Sequence, residues 1–318
     1  MRKHKKSQIT IFLILGIVVT LAFAIIYFMS SLSNQSKQSA AAAKTIESNK
    51  DAVQIVKNYM QSCLDGSTEK SIFAAGAQGN YLNLNAKQDI QKTFYAKNPV
   101  PYYLEATCES YCQQNDANDE SECKQKICKW AYKKNMPDLD LIKKELENNI
   151  LAEFEECFSK NNFANLGIDV IMPEKSKISI SASINKEDVS VSLAYPLAIK
   201  SGEIKANMDL FTSKVLVRLK ALYDAANGLI SKISSIQESE YKAKQENEKP
   251  YLDYAITKDE CSNYDKNGKT NLYTLDDDAK TDRVVRLMDY SNFYSRYSKT
   301  YGLYFALKNI NIRGACSG

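Results

Sequence analysis

Histidine is almost missing from this chain: of 318 residues only His4 is one. Everything beyond residue 4 lacks an imidazole. That excludes Ser-His-Asp and Cys-His nucleophile systems, His-ligated zinc hydrolases and facial-triad iron sites from the body of the protein. Neither a G-x-G-x-x-G nor a G-x-x-x-x-G-K-[ST] loop occurs, so the two familiar phosphate cradles are absent as well. Net charge is lacking too. Lys and Arg total 42 against 38 Asp and Glu, and Arg2, Lys3, Lys5 and Lys6 account for the whole formal excess of +4. A nucleic-acid binder shows a basic excess on one face, so no nucleic-acid partner is expected. Carboxylate-pair chemistry needs only two acids and survives these exclusions, yet no pair among the 38 stands out. The expectation is a protein without catalytic residues, cofactor or resident metal.

What is present begins with one long apolar run. Ile9 to Met29 reads ITIFLILGIVVTLAFAIIYFM, uncharged and with Thr10 and Thr20 its only polar members. At 1.5 Å per residue it spans roughly 30 Å, the thickness of a hydrocarbon core. Four cations precede it and only Lys37 follows within SSLSNQSKQS. By the positive-inside rule residues 1–7 form a cytoplasmic basic n-region, 8–29 a transmembrane helix, and the remainder is exported. The run is too long for a cleaved secretory signal, and no A-x-A site follows it. The bilayer is thus the first expected partner. A small-xxx-small stripe, Gly16, Thr20 and Ala24, is of the kind that pairs anchors into a homo-oligomer.

Lys5-Lys6-Ser7-Gln8, directly ahead of the apolar run, resembles the class III signal peptides of archaeal pilin-like proteins. The resemblance implies a peptidase cut between Ser7 and Gln8 that leaves the helix on the mature chain. Phe12 stands where pilins usually carry a Glu.

Eight cysteines lie at positions 63, 108, 112, 123, 128, 157, 261 and 316, none in the anchor. An even number in an exported chain reads as four disulfides. Cys108-x3-Cys112 puts two thiols on one face of a helix. Two short helices around Gln113–Glu120 are then expected, stapled by Cys112–Cys123 nested inside Cys108–Cys128. Zinc held by the same four thiolates is the rival, although ribbons and knuckles favour C-x2-C. Cys63 and Cys157 sit on amphipathic stretches and pair as two helices, which leaves Cys261 with Cys316. The sequon Asn34-Gln35-Ser36 offers one glycan just above the membrane.

Periodicity gives the layout. Residues 30–165 are expected to be a helical stalk continuous with the anchor, then the disulfide-stapled helical segment, with a helix over Leu139–Phe158. Gly76, Gly79, Pro99 and Pro101 break the stretch between into loops. Residues 166–318 are expected to form an α+β ectodomain. The alternation of KISISASI against Val189, Val191 and Leu193, joined by Asn185–Asp188, predicts an antiparallel hairpin ending at Tyr195-Pro196. A strand is expected on either side of Ser201-Gly202. The spacing from Phe211 to Ile236 predicts a long amphipathic helix running towards residue 247 and covering the sheet. Strands at Arg283–Tyr290 and Tyr301–Asn309 complete it. Asn263, Asp265, Asn267, Gly268 and Asn271 follow a calcium-loop register, but Thr274 stands where the bidentate Glu belongs, and Asn267-Gly268 equally signals a tight turn. Tyr290, Phe293, Tyr294, Tyr297, Tyr301 and Tyr304, spaced by three and four, are either core or a surface that stacks on sugars or a partner.

The early YxxxCL helix, the serine-rich hairpin ending in Tyr-Pro-Leu, the long helix and the late Tyr-x-x-Tyr-Phe-Ala strand resemble uncharacterised archaeal cell-surface proteins with pilin-like anchors. That implies a single-pass, non-catalytic structural or interaction protein of the cell envelope, its C-terminal domain extracellular and its N-terminus cytoplasmic. The alternatives are a monomeric binding module for sugar or peptide and, further off, an exported carboxylate-based hydrolase.

Overall fold

A computed structural model describes residues 49–112, 126–201, 204–240, 242, 249–257, 270–276, 282–294 and 299–314. The apolar run 9–29, the cut between Ser7 and Gln8, Asn34 and His4 lie outside them. So do the calcium-type loop, the QQNDANDE turn and Cys123, Cys261 and Cys316. Among the described residues no helix is long and apolar enough to cross a membrane.

The expected layout needs correction. Strands outnumber helices: three α-helices and thirteen strands occur among the described residues, so the helix-rich α+β arrangement of anchor, helical stalk, stapled helical segment and covered antiparallel sheet does not hold. The helices are α1 (Asn49–Ala77), α2 (Leu139–Ser159) and α3 (Leu219–Ile233). The cysteine-bearing segment is a hairpin of strands, β2 (Asn98–Cys112) and β3 (Lys126–Lys134), paired antiparallel from Leu104↔Lys134 to Cys112↔Lys126. Its Val, Tyr, Thr and Trp residues favour a pleated surface over helix. Pro99 and Pro101 lie within β2, whose early part pairs with β1 (Lys92–Tyr95) across a turn in which Ala96 and Lys97 take positive φ. The amphipathic helix is shorter than expected. Its predicted start is strand instead, and it stops at Ile233.

The described residues fall into two compact units, one of residues 49–57, 162–171, 198–201 and 204–207, the other of those within 58–161, 172–197 and 208–314. In the first, β4 (Asp169–Ile171) pairs antiparallel with the end of β6 (Val189–Ser201), Asp169 opposite Lys200. Asn162 caps the single turn Phe163–Leu166 by accepting from the Ala164 amide, and Gly167 leaves that turn at φ 71°.

The second unit holds the main core. A seven-stranded sheet runs β10 (Thr270–Asp276), β11 (Arg283–Tyr294), β12 (Lys299–Lys308), β2, β3, β8 (Glu238–Glu240), with β1 on β2. It is mixed, not antiparallel: β12 and β2 run parallel, Ala306 facing Tyr102. Along its inner face Leu272, Leu287 and Leu303 are mutually opposite and fully buried, and Tyr103 stacks on Phe305 at 4.7 Å. α1 reaches this sheet at its C-terminal end, where Phe73 meets Tyr301 edge-on and a Cβ on Gly76 would lie 2.5 Å from the Gly302 carbonyl. α3 packs on β11 and β12 with Leu222, Ala226, Leu229 and Ile233 buried at helical spacing.

A second sheet is built on β6. Its N-terminal half pairs with β5 (Ser179–Ile184), its C-terminal half with β4, and β7 (Ile204–Val215) pairs along it too. β6 runs on through Tyr195-Pro196. α2 packs on β5, Phe154 meeting Tyr195 at 5.1 Å. Asp138 caps α2 by accepting from the Leu141 amide, and Ile142, Leu146, Ile150, Phe154 and Phe158 are buried along one side. A small parallel pair, β9 (Leu252–Ala255) with β13 (Ile310–Arg313), is held by Asp253, which accepts from Lys242, Asn311 and Arg313.

Candidate functional site

Two of the expected cystines are formed. Cys63–Cys157 joins α1 to α2 with 5.7 Å between Cα atoms, and Cys108–Cys128 crosses the β2–β3 hairpin at 5.1 Å. The register sets Cys128 opposite Ser110, so the second bond runs diagonally to the next residue on the same face. Two thiols bound to each other are no zinc ligands. Cys112 lies at the end of β2, and its pairing falls outside the described residues.

The tyrosine cluster is divided by strand geometry. Tyr301 points inward and is buried, Tyr304 is half-buried on the opposite face, and Tyr290 is 46% exposed. Phe293 and Tyr294 lie on β11, and Tyr297 is outside the described residues. The helical spacing thus falls across two strands of a hairpin.

On the outer face of the seven-stranded sheet a row forms straight across the strands. Tyr273 on β10 faces Arg286 on β11, which faces Tyr304 on β12. The Arg286 guanidinium carbon lies 5.4 Å from the Tyr304 ring centre, and Tyr95 of β1 stacks on Tyr304 at 6.0 Å and 28°. In the adjoining row Asn271 faces Met288, and its amide donates to the Tyr273 hydroxyl at 3.1 Å. The Tyr273 and Tyr290 hydroxyls meet at 3.1 Å. Below the row, Val100, Tyr102, Val284 and Ala306 form a small buried cluster that anchors Tyr95 and Tyr304.

The electrostatics follow from that geometry. Hydrogen bonds from Tyr290 and Asn271 pull the Tyr273 phenol down, against the opposing effect of burial. The same bond raises Tyr290. Either hydroxyl of the Tyr273–Tyr290 pair can donate to the other. Burial raises Tyr304. Arg286 acts on all three phenols, and no carboxylate among the described residues does. Its Nε donates to the Met288 sulfur, and no described acid pairs with it. A half-buried guanidinium framed by aromatic rings is the residue type that forks onto a planar anion.

Sequence reading named Tyr290 and Tyr304, gave Asn271 only a place in the calcium-type register, and missed Arg286, Tyr273 and Tyr95. The available signal was Arg286 itself, a charge between Val284-Val285 and Leu287-Met288 in a run that otherwise reads as buried strand.

Two open cavities lie elsewhere in this unit. One, about 550 Å³, runs between Leu82–Lys87 and α2. There Glu145 already accepts from the Leu82 amide and pairs with Lys87. The other, about 340 Å³, flanks the Cys63–Cys157 bond, where Lys70 pairs with Glu153 and Lys160 with Glu156. In both, these carboxylates of the wall are already paired with lysines.

No protein-family model matches the chain, and neither a curated protein nor a solved structure shows significant similarity to it.

Proposed function

We propose that this chain is a membrane-anchored, extracytoplasmic, non-catalytic interaction protein of an archaeal cell envelope, held in the bilayer by residues 9–29 and pilin-like in its anchor. The observation that carries this reading is the pair of cystines, Cys63–Cys157 and Cys108–Cys128. Such bonds persist where the surroundings are oxidising and are rare in a reducing cytosol. The charge pattern around the apolar run supports the same topology. Its partners are the bilayer and either a second copy or another surface protein.

Protease added to intact cells, combined with thiol alkylation before and after reduction, tests the topology. The expected result is digestion of residues beyond the anchor and alkylation of Cys63, Cys157, Cys108 and Cys128 only after reduction. A protected body whose cysteines alkylate without reduction overturns the proposal. N-terminal sequencing then decides the route: a start at Gln8 supports the pilin-type cut, whereas Met1 or Arg2 replaces it with a plain signal anchor. The row through Tyr273, Arg286 and Tyr304 favours a second reading, in which the exported body is a binding module.

A further inference from the structure

We propose that the row Tyr95–Tyr304–Arg286–Tyr273, with Tyr290 at its margin, binds an acidic oligosaccharide, Arg286, held against Tyr304, forking onto the carboxylate of a uronic-acid unit while Tyr273 and the exposed Tyr290 meet neighbouring pyranose units. This inference rests on the binding-module reading and is independent of how the chain is anchored.

Three observations converge on this ligand. The first is charge. Arg286 is half-buried, its Nε is directed to the Met288 sulfur, and no described carboxylate neutralises it, so the site is complementary to an anion. The second is shape. Tyr273, Arg286 and Tyr304 stand opposite one another on three consecutive strands, and neighbouring strands are roughly 4.8 Å apart. That interval is close to the length of one sugar unit along a glycan chain, so consecutive rings meet consecutive side chains. The third is the mix of donors. The Tyr273–Tyr290 hydroxyl pair, with Asn271 donating to Tyr273, carries one more proton than its mutual bond uses, as hydroxyl-rich ligands require. A phosphate site would instead draw on backbone amides at a helix N-terminus or a nest, whereas these groups are side chains on paired strands. A nucleic-acid strand would need a basic track, and Arg286 is the row's single cation.

The test uses the full-length chain in detergent and three probes: tri-galacturonate, its methyl ester and a glutamate hexapeptide. Wild type is expected to bind the acid at least about tenfold tighter than the ester, the ratio set by one charge-assisted hydrogen bond. Arg286→Gln should erase that preference while leaving the weaker affinity for the ester. Tyr290→Ala, at an exposed ring, should weaken both sugars together. An Arg286 whose role was only to pack on Tyr304 would not change the ratio of acid to ester. Equal affinity for acid and ester, binding of neither, or binding of the peptide in preference to the sugar overturns the proposal. None of these outcomes bears on the topology, which protease accessibility reads separately.

Discussion

The two larger sheets share one plan and use it differently. Each packs one face against a helix, α3 on β11 and β12 and α2 on β5, and exposes side chains on the other. Along the β5–β6 hairpin the outward residues are small: Ser183 faces Ser190, Ser181 faces Ser192 and Ser179 faces Ala194. On the seven-stranded sheet the outward residues are Tyr304, Arg286 and Tyr273. A serine pair leaves little to grip and little to lose, since its hydroxyls are equally content with water. Rings and a guanidinium hold surface area and charge in fixed positions, the material of recognition. On the binding-module reading proposed above, the seven-stranded sheet is the one that binds.

That contrast can be broken at its inner faces first. Leu303 and Leu193 are both fully buried, so Leu→Ala at either position is expected to cost about 2–5 kcal/mol by chemical denaturation. A small loss at Leu193 beside a large one at Leu303 would mean that the serine-faced sheet lacks a tight interior. Gly76→Ala comes next. Its Cβ would press on the Gly302 carbonyl and the Tyr301 ring, and a loss of about 1–3 kcal/mol is expected. Unchanged stability would show that α1 does not sit close on β12.

Alkaline pH should then separate the sheets. Burial pushes Tyr132 up to about 12 and Tyr103 well above its ordinary value, both on the seven-stranded sheet; the other sheet has Tyr195 alone. Burial beside Glu145 also raises Tyr81 to about 12. A phenol that holds its proton more tightly when folded stabilises the fold fully below pH 10, and that stability is lost as pH rises from 10 through 12. Trp130, the chain's one tryptophan, lies on β3 and reports this sheet. Its fluorescence is expected to change together with phenolate absorbance in that interval; phenolate appearing with Trp130 unmoved would sink the idea. The smallest effect is Ser192→Thr, expected within about 0.5 kcal/mol because the position is on an outward face. A larger loss would show that this face is covered.

Legibility in the sequence followed the same division. The hairpin of β5 and β6 could be read because serine alternates with Ile, Val and Leu, which makes a period of two unmistakable. α2 was equally plain, from Leu139 to Ser159. β11 and β12 were placed as strands, yet their faces could not be told apart: with Val284, Met288 and Ala306 buried on the outer side as well, the run shows no alternation. Arg286 therefore passed unnoticed. The error at Cys108 and Cys112 has a different source. A spacing of four lies on one face of a helix and equally on one face of a strand, so the thiols were expected on the same side for the wrong reason. β7 was mistaken for the start of a helix because Phe211, Val215 and Leu219 fit a period near four, while Phe211, Ser213 and Val215, all buried, fit two.

The position of β12 has a bearing on how such a chain comes to exist. It sits between β11 and β2, parallel to a strand whose residues were made about 200 positions earlier. A growing polypeptide therefore carries β2 with one flank unsatisfied until residues 299–308 have been made. An open flank of that kind invites pairing with other molecules. Something must shield it meanwhile, whether a chaperone or the nascent chain's own earlier folding. Ending translation before residue 299 would leave not a shorter version of the protein but two halves of a sheet with no middle.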